Sequence, residues 1–151
     1  MYSMWLTEEQ QQIWWRYLTM TSRLQTAMNR QLQQDCELSL SDYDVLVALS
    51  ERGPQRINEI GEALGWEQSR LSHQLRRMRG RGLVERHGSG DDRRGATVEL
   101  TDAGRAALDT AAPGHVELVR SLVFDGLSAA QLRAFGSAIE SVLARLTNQI
   151  Q

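Results

Sequence analysis

The side chains of this 151-residue chain best equipped to do chemistry are its arginines, and they are unevenly spread. Eight lie between Trp66 and Arg94 (Arg70, Arg76, Arg77, Arg79, Arg81, Arg86, Arg93 and Arg94) against four acids, a local balance of +4 in a chain of net charge −2. The other nine arginines face fifteen acids. A basic face on an acidic body is the footprint of a polyanion partner. All seventeen basic residues are arginine, so every such cation carries the planar fork that matches phosphate and the guanine edge. A solvated arginine-rich helix would give the same count, so spacing has to decide.

Leu71, Leu75 and Met78 fall at i, i+4 and i+7, one apolar stripe of a helix. At about 100° per residue the opposite face carries Ser69, His73, Arg76 and Arg77, with Arg70 and Ser72 on its flanks. In a helix entering the major groove, Ser69, Arg70 and His73 would reach bases, while Arg76 and Arg77 would take guanine or phosphate. Arg93 and Arg94 sit in the polar, glycine-rich run His87–Gly95, a hairpin tip suited to a narrow minor groove, whose negative potential favours inserted arginine. Asp92 cannot itself help bind phosphate, which suggests a positioning role there; the alternative is a plain hairpin salt bridge, which contributes little at an exposed site.

Other chemistries find little support. There is no glycine-rich phosphate loop and no paired histidine at metal spacing. The histidines (73, 87 and 115) are far apart, and Asp91–Asp92 sits where nothing would shift its pKa. The expectation is no enzyme, no catalytic residue, no metal and no cofactor. A single cysteine, Cys36, excludes an intramolecular disulfide and a cysteine-based zinc site. A redox-sensing role would need a depressed thiol pKa, for which Arg30 is the neighbour in sequence; a plain thiol is the other reading. No apolar run is long enough to span a bilayer, and Met1–Trp5 lacks the basic flank and apolar stretch of a secretory signal, so the expected location is cytoplasmic with no membrane partner.

Thr7-Glu-Glu-Gln10 reads as a capping box opening a long helix to about Gln34, with Ile13, Trp14, Tyr17, Leu18, Leu24, Met28 and Leu32 at helical spacing. Ser41 is expected to cap a second helix carrying Val45, Leu46 and Leu49, stopped by Gly53–Pro54, with Leu40 as a staple. Asn58 is expected to cap a short helix with Ile60, Ala63 and Leu64 inward, ended by Gly65. The helix after Trp66–Glu67 completes a helix-turn-helix, and Gly82 closes it. Leu83–Arg86 and Thr97–Leu100 alternate like strands, so the hairpin between them is a wing. Thr101 caps a helix that Pro113 should kink or divide, and Ser128-Ala-Ala-Gln131 boxes a last amphipathic helix.

The fold class is therefore mainly α with a small β wing. A winged helix-turn-helix lobe at about 41–100 is flanked by helices at about 7–34 and 101–150, within a single domain over 1–151. The flanking helices carry wide apolar faces that a two-fold partner supplying the same surfaces would bury, so a homodimer is expected. Its two recognition helices, about one DNA turn or roughly 10 bp apart, would read a palindromic operator in double-stranded DNA. Trp14, Trp15, Tyr17, Tyr43 and His115 could line an aromatic cleft for a small effector; such residues at helical spacing also serve as core. A winged helix that binds protein in place of DNA is the alternative that the basic outward face disfavours.

Four linked stretches, Ser69-Arg-Leu-Ser-His-Gln-Leu-Arg-Arg-Met78, Arg81-Gly-Leu-Val-Glu-Arg86, Asp92-Arg-Arg94 and Val98-Glu-Leu-Thr-Asp-Ala-Gly104, resemble the MarR family of bacterial regulators. The resemblance implies a dimer of winged helix-turn-helix lobes that typically represses genes and often releases DNA when a small aromatic or phenolic molecule binds between the lobes. It favours Arg94, in the Asp-x-Arg spacing, as the minor-groove residue. One branch of that family senses peroxide through a cysteine near the start of the first helix, a position Cys36 does not match. Arg79 stands where the family often has an acid, and Glu67 where a serine-type cap is usual.

Overall fold

Thr7 opens the first helix, α1 (Glu8–Cys36), by a reciprocal box: its hydroxyl accepts from the Gln10 N–H at 3.1 Å, and its own N–H donates to Gln10 Oε1 at 3.0 Å. The structure is a computed structural model describing residues 5–88 and 95–150. The chain divides into two units, Met1–His115 and Val116–Gln151.

In the first unit, α2 (Leu40–Arg52) begins two residues earlier than the sequence suggests. Ser39, and not Ser41, is the cap; it exchanges hydrogen bonds with Asp42 at 2.9 and 3.0 Å. Both serines have an aspartate three residues on. The Ser39 register wins because it buries Leu38 and leaves Asp42 facing inward, where α4 supplies partners for it.

Gln55–Arg56 forms the short strand β1, and α3 (Ile57–Leu64) follows at once. Arg56, not Asn58, occupies the cap position, its N–H donating to the Glu59 carboxylate at 3.0 Å. Ile60 points inward as expected and Leu64 partly so, but Ala63 is exposed and Gly61 takes the buried position. Gly65 ends α3 at φ 69°, the left-handed turn that glycine adopts at least cost. Then come α4 (Gln68–Gly80), β2 (Val84–His87) and β3 (Thr97–Leu100). The sheet is antiparallel in the order β1-β3-β2, with Arg86 opposite Val98 and Glu85 opposite Glu99. Leu32, Leu38, Val45, Leu46, Leu49, Ile60, Leu71, Met78 and Val98 form the fully buried centre.

The fifth helix, α5 (Asp102–Val119), is capped by Thr101, whose hydroxyl accepts from the Gly104 N–H at 3.0 Å and donates to the Gly82 carbonyl at 2.6 Å. Pro113 does not divide it. The carbonyl that loses its donor belongs to Asp109, which like Pro113 is exposed, so solvent can replace the missing bond. The α-helical pattern changes later, in a π-helical stretch at Arg120–Phe124, where the Asp125 N–H reaches the Arg120 carbonyl at 2.8 Å.

In the second unit, α6 (Ala129–Ile150) opens on the expected Ser128–Gln131 box. It is amphipathic, yet Leu132, Ile139, Val142, Leu143 and Leu146 are each 42–55% exposed. On α1, Ile13, Trp14, Trp15 and Tyr17 are exposed as well. Among the described residues no helix is long and apolar enough to cross a membrane.

Candidate nucleic-acid interface

The recognition helix α4 is held by the stripe read from its sequence: Leu71, Leu75 and Met78 are all buried. The same geometry turns Ser69, Arg70, His73, Arg76 and Arg77 to solvent, with Ser72 half-buried on the flank. Arg70 is not wholly free. Its guanidinium stacks 3.9 Å over the Trp66 ring and reaches Ser41 Oγ at 3.5 Å. That stacking holds the side chain at the start of α4 with part of its fork still open. Arg70 also draws down the carboxyl of Asp44, though burial pushes that group up more strongly.

A polar residue escaped the sequence reading. Gln74 lies on the buried side of α4, 3% exposed, and its amide donates to Asp42 Oδ1. Its Oε1 accepts from the guanidinium of Arg77 at 2.7 Å. Asp42 also pairs with Arg81 at 3.2 Å, and Arg81 donates to the Glu37 carbonyl at 2.9 Å. The network ties the start of α2 to a solvent-facing arginine of α4. Glutamine three residues before Arg77 was its only local signal.

A cleft of about 680 Å³ lies beside α4, lined by Ser72, Leu75, Arg76 and Arg79 of that helix, Arg86 and Val98 of the sheet, and Arg56, Ile57 and Asn58 where α3 begins. Gln68 completes the lining. Four guanidinium-bearing residues meet there, and among the described residues no acid joins them. Arg56, Arg79 and Arg86 were not among the residues singled out from sequence. Arg56 stands outside the arginine-dense segment, and its place just before a helix was the available clue.

The other face of the hairpin stem carries the opposite charge. Glu85 and Glu99 oppose each other across the strands, and His87 Nε2 lies 3.2 Å from one carboxylate and 2.5 Å from the other. These three are the group among the described residues whose metal-ligating atoms converge, within 4.8 Å. The imidazole already sits between the carboxylates, so ion pairing accounts for the arrangement. The hydrogen bond with Glu85, reinforced by Glu99, raises the His87 pKa above its ordinary value. Asp92, Arg93 and Arg94 lie outside the described residues.

The five candidate pocket residues fall into two groups. Tyr43 and His115 lie with ring centroids 4.2 Å apart, and Trp14 stacks on Tyr17 at 5.4 Å along α1. Trp15 is exposed, and among the described residues no ring contact joins the two pairs. Burial lowers the His115 pKa, and its Nδ1 is buried with no hydrogen-bond partner among the described residues. Burial, with Asp35 adding, raises the Cys36 thiol pKa, which opposes the thiolate a redox sensor needs.

The sequence profile of the MarR family matches residues 37–95, the span from the start of α2 to the hairpin. The HTH-type transcriptional regulator YfiV of Bacillus subtilis is 30% identical over 135 residues, 82% of this chain and 83% of its own. The chain belongs to the MarR family. Among solved MarR-family structures, AbsC from Streptomyces coelicolor is 32% identical with a TM-score of 0.88, over 97% of this chain and 99% of that one. Sco3205 from the same organism, solved in complex with DNA, is 36% identical with a TM-score of 0.87, over 94% and 90%. This MarR-family chain is thus a DNA-binding transcriptional regulator with a winged helix.

Proposed function

We propose that the protein is a homodimeric repressor that seats two copies of α4 in successive major grooves of a palindromic operator. The exposed polar face of α4 carries this reading, set directly opposite a fully buried apolar stripe. Ser69, Arg70, Ser72, His73, Arg76 and Arg77 are its DNA-contacting residues, and Arg93 and Arg94, with Asp92 positioning them, its minor-groove residues. The exposed apolar faces of α1 and α6 support pairing with a second copy, since such faces are costly to leave in water. In this reading residues 1–151 form one MarR-type domain whose terminal helices dimerise.

The tilted Tyr43–His115 pair supports a site for a small aromatic effector. An unpartnered, buried imidazole nitrogen can take a hydrogen bond from or to a ligand hydroxyl. Trp14, Trp15 and Tyr17 belong to the dimer face in this reading.

The test is light scattering combined with binding of genomic DNA fragments over a salt series. A dimer that selects one short sequence, with affinity falling steeply as salt rises, is the expected result. A monomer, or binding without sequence preference, would refute it.

A further inference from the structure

The face of the hairpin stem turned away from the arginine cleft brings three metal-binding side chains together. Glu85 and His87 stand two residues apart on β2, so both project from one face of the strand, and Glu99 of β3 lies directly opposite Glu85. Their donor atoms all lie within 4.8 Å of one another. We propose that Glu85, His87 and Glu99 form a binding site for a divalent transition metal of the zinc class, which clasps the two strands of the wing stem. The inference needs neither α4 in a DNA groove nor a second copy of the chain. Sequence spacing gives no hint of it, because Glu99 joins the other two only through strand pairing.

Geometry and charge both support a metal. Tetrahedral bonds of about 2.0–2.1 Å set ligand atoms roughly 3.3 Å apart. His87 Nε2 lies 3.2 Å from a Glu85 oxygen and 2.5 Å from a Glu99 oxygen, so the first separation already fits and the second has to widen. All three side chains reach solvent and can adjust. Carboxylates set opposite each other across a strand pair repel. The imidazole answers the two of them with a single positive charge at most, and among the described residues no arginine pairs with either glutamate. A divalent cation held by both carboxylates and a neutral imidazole removes that excess. The ladder carrying the donors is fixed, with Val84 paired to Leu100 at one end and His87 to Thr97 at the other. Just beyond, Gly88 at φ 138° runs so close to Ala96 that a side-chain carbon there would collide. Imidazole nitrogen combined with carboxylate oxygen suits zinc and its neighbours, whereas magnesium and calcium take oxygen alone. Three protein donors leave one tetrahedral position for water.

The test titrates the full chain, stripped of metal with a chelator and dialysed, with Zn²⁺ by calorimetry, and follows the histidine ring signals by NMR. Saturation at one Zn²⁺ per chain is expected, with the His87 ring signals moving while those of His73 and His115 stay in place. Zn²⁺ should also raise the Tm of the parent, since it binds the folded state. His87→Gln and Glu99→Gln, each checked for its fold by circular dichroism, should weaken Zn²⁺ binding at least about 10-fold, the loss that even outer partners of metal ligands cause. Both should lose the gain in Tm. Arg86→Gln, altered on the opposite face of the stem, should bind Zn²⁺ as the parent does. Absence of saturable Zn²⁺ binding by the parent, or undiminished binding by His87→Gln, would overturn the proposal. Equal affinity for Mg²⁺ would also overturn it, because the trio would then be a patch of negative charge and no more. Each of these contrary results leaves the reading of α4 and its operator standing.

Discussion

Gln74 of α4 donates its amide N–H to the buried carboxylate of Asp42 at the start of α2, which fixes which way the amide points. An ionised carboxylate only accepts, so Nε2 must face Asp42 and Oε1 must face outward, where it accepts from Arg77 at 2.7 Å. One arginine of the solvent-facing side of α4 is thereby held in place before any DNA arrives. Gln74→Met keeps the bulk and removes both bonds. It should cost about 1–3 kcal/mol in urea denaturation, because Asp42 loses a buried partner. It should also loosen Arg77, so the effect of Arg77→Ala on operator binding should shrink in the Gln74→Met background. Strict additivity in that double-mutant cycle would dissociate the two residues.

Gly104 rests directly on the turn that ends α4. A side-chain carbon at this position would collide with the Leu83 carbonyl oxygen, so backbone has to move to admit it. Thr101, bonded to Gly82 and to the Gly104 N–H, holds the same junction. Gly104→Ala should therefore destabilise by about 1–3 kcal/mol, lowering Tm by several degrees, as followed by circular dichroism. An unchanged Tm would mean that the junction is looser than described.

The wing stem should respond to pH through His87. Its folded pKa is raised, chiefly by the Glu85 hydrogen bond and further by Glu99, so protonation favours the folded state. Its stabilisation is complete below the ordinary value near 6.5 and is lost as pH rises through the folded value. Titration of the imidazole by NMR should give a midpoint above 6.5, and His87→Gln should flatten the stability profile on that alkaline side.

His115 should act in the opposite window. Burial lowers its pKa, so the unfolded chain binds the proton more readily than the folded one. The contribution of His115 should be complete above about 6.5 and fall as pH drops from there through the folded value. His115→Phe keeps an aromatic ring against Tyr43 and should remove this acid-side loss, measured as the urea midpoint against pH. A parent profile that is flat below neutrality would show that the imidazole is more hydrated than its surroundings imply.

What the sequence disclosed were features repeating at the helical period or signalled within four residues. The Leu71–Leu75–Met78 stripe, the boxes at Thr7 and Ser128 and the turn at Gly65 are of that kind. So is the outward face of α4. The start of α2 was misplaced because Ser39 and Ser41 offer competing local caps, and the choice depends on Asp42 meeting residues 32 and 39 positions away, Gln74 and Arg81. Long-range pairs of that sort leave no periodic trace. The cleft was missed for a related reason: Arg56 joins Arg79 and Arg86 only after β1 pairs with β3 and brings the start of α3 beside the wing. Pro113 does not divide α5, because the carbonyl it leaves open belongs to an exposed residue that solvent can serve, and exposure of that kind is not written in the local sequence.

The most direct test of the account is a guanine-N7 methylation-protection footprint of the full chain on its selected operator. Two symmetric patches of major-groove protection, centred roughly 10 bp apart, are predicted, with both lost together in Arg76→Ala/Arg77→Ala. A single unpaired patch, or a footprint that survives replacement of both arginines, would contradict it.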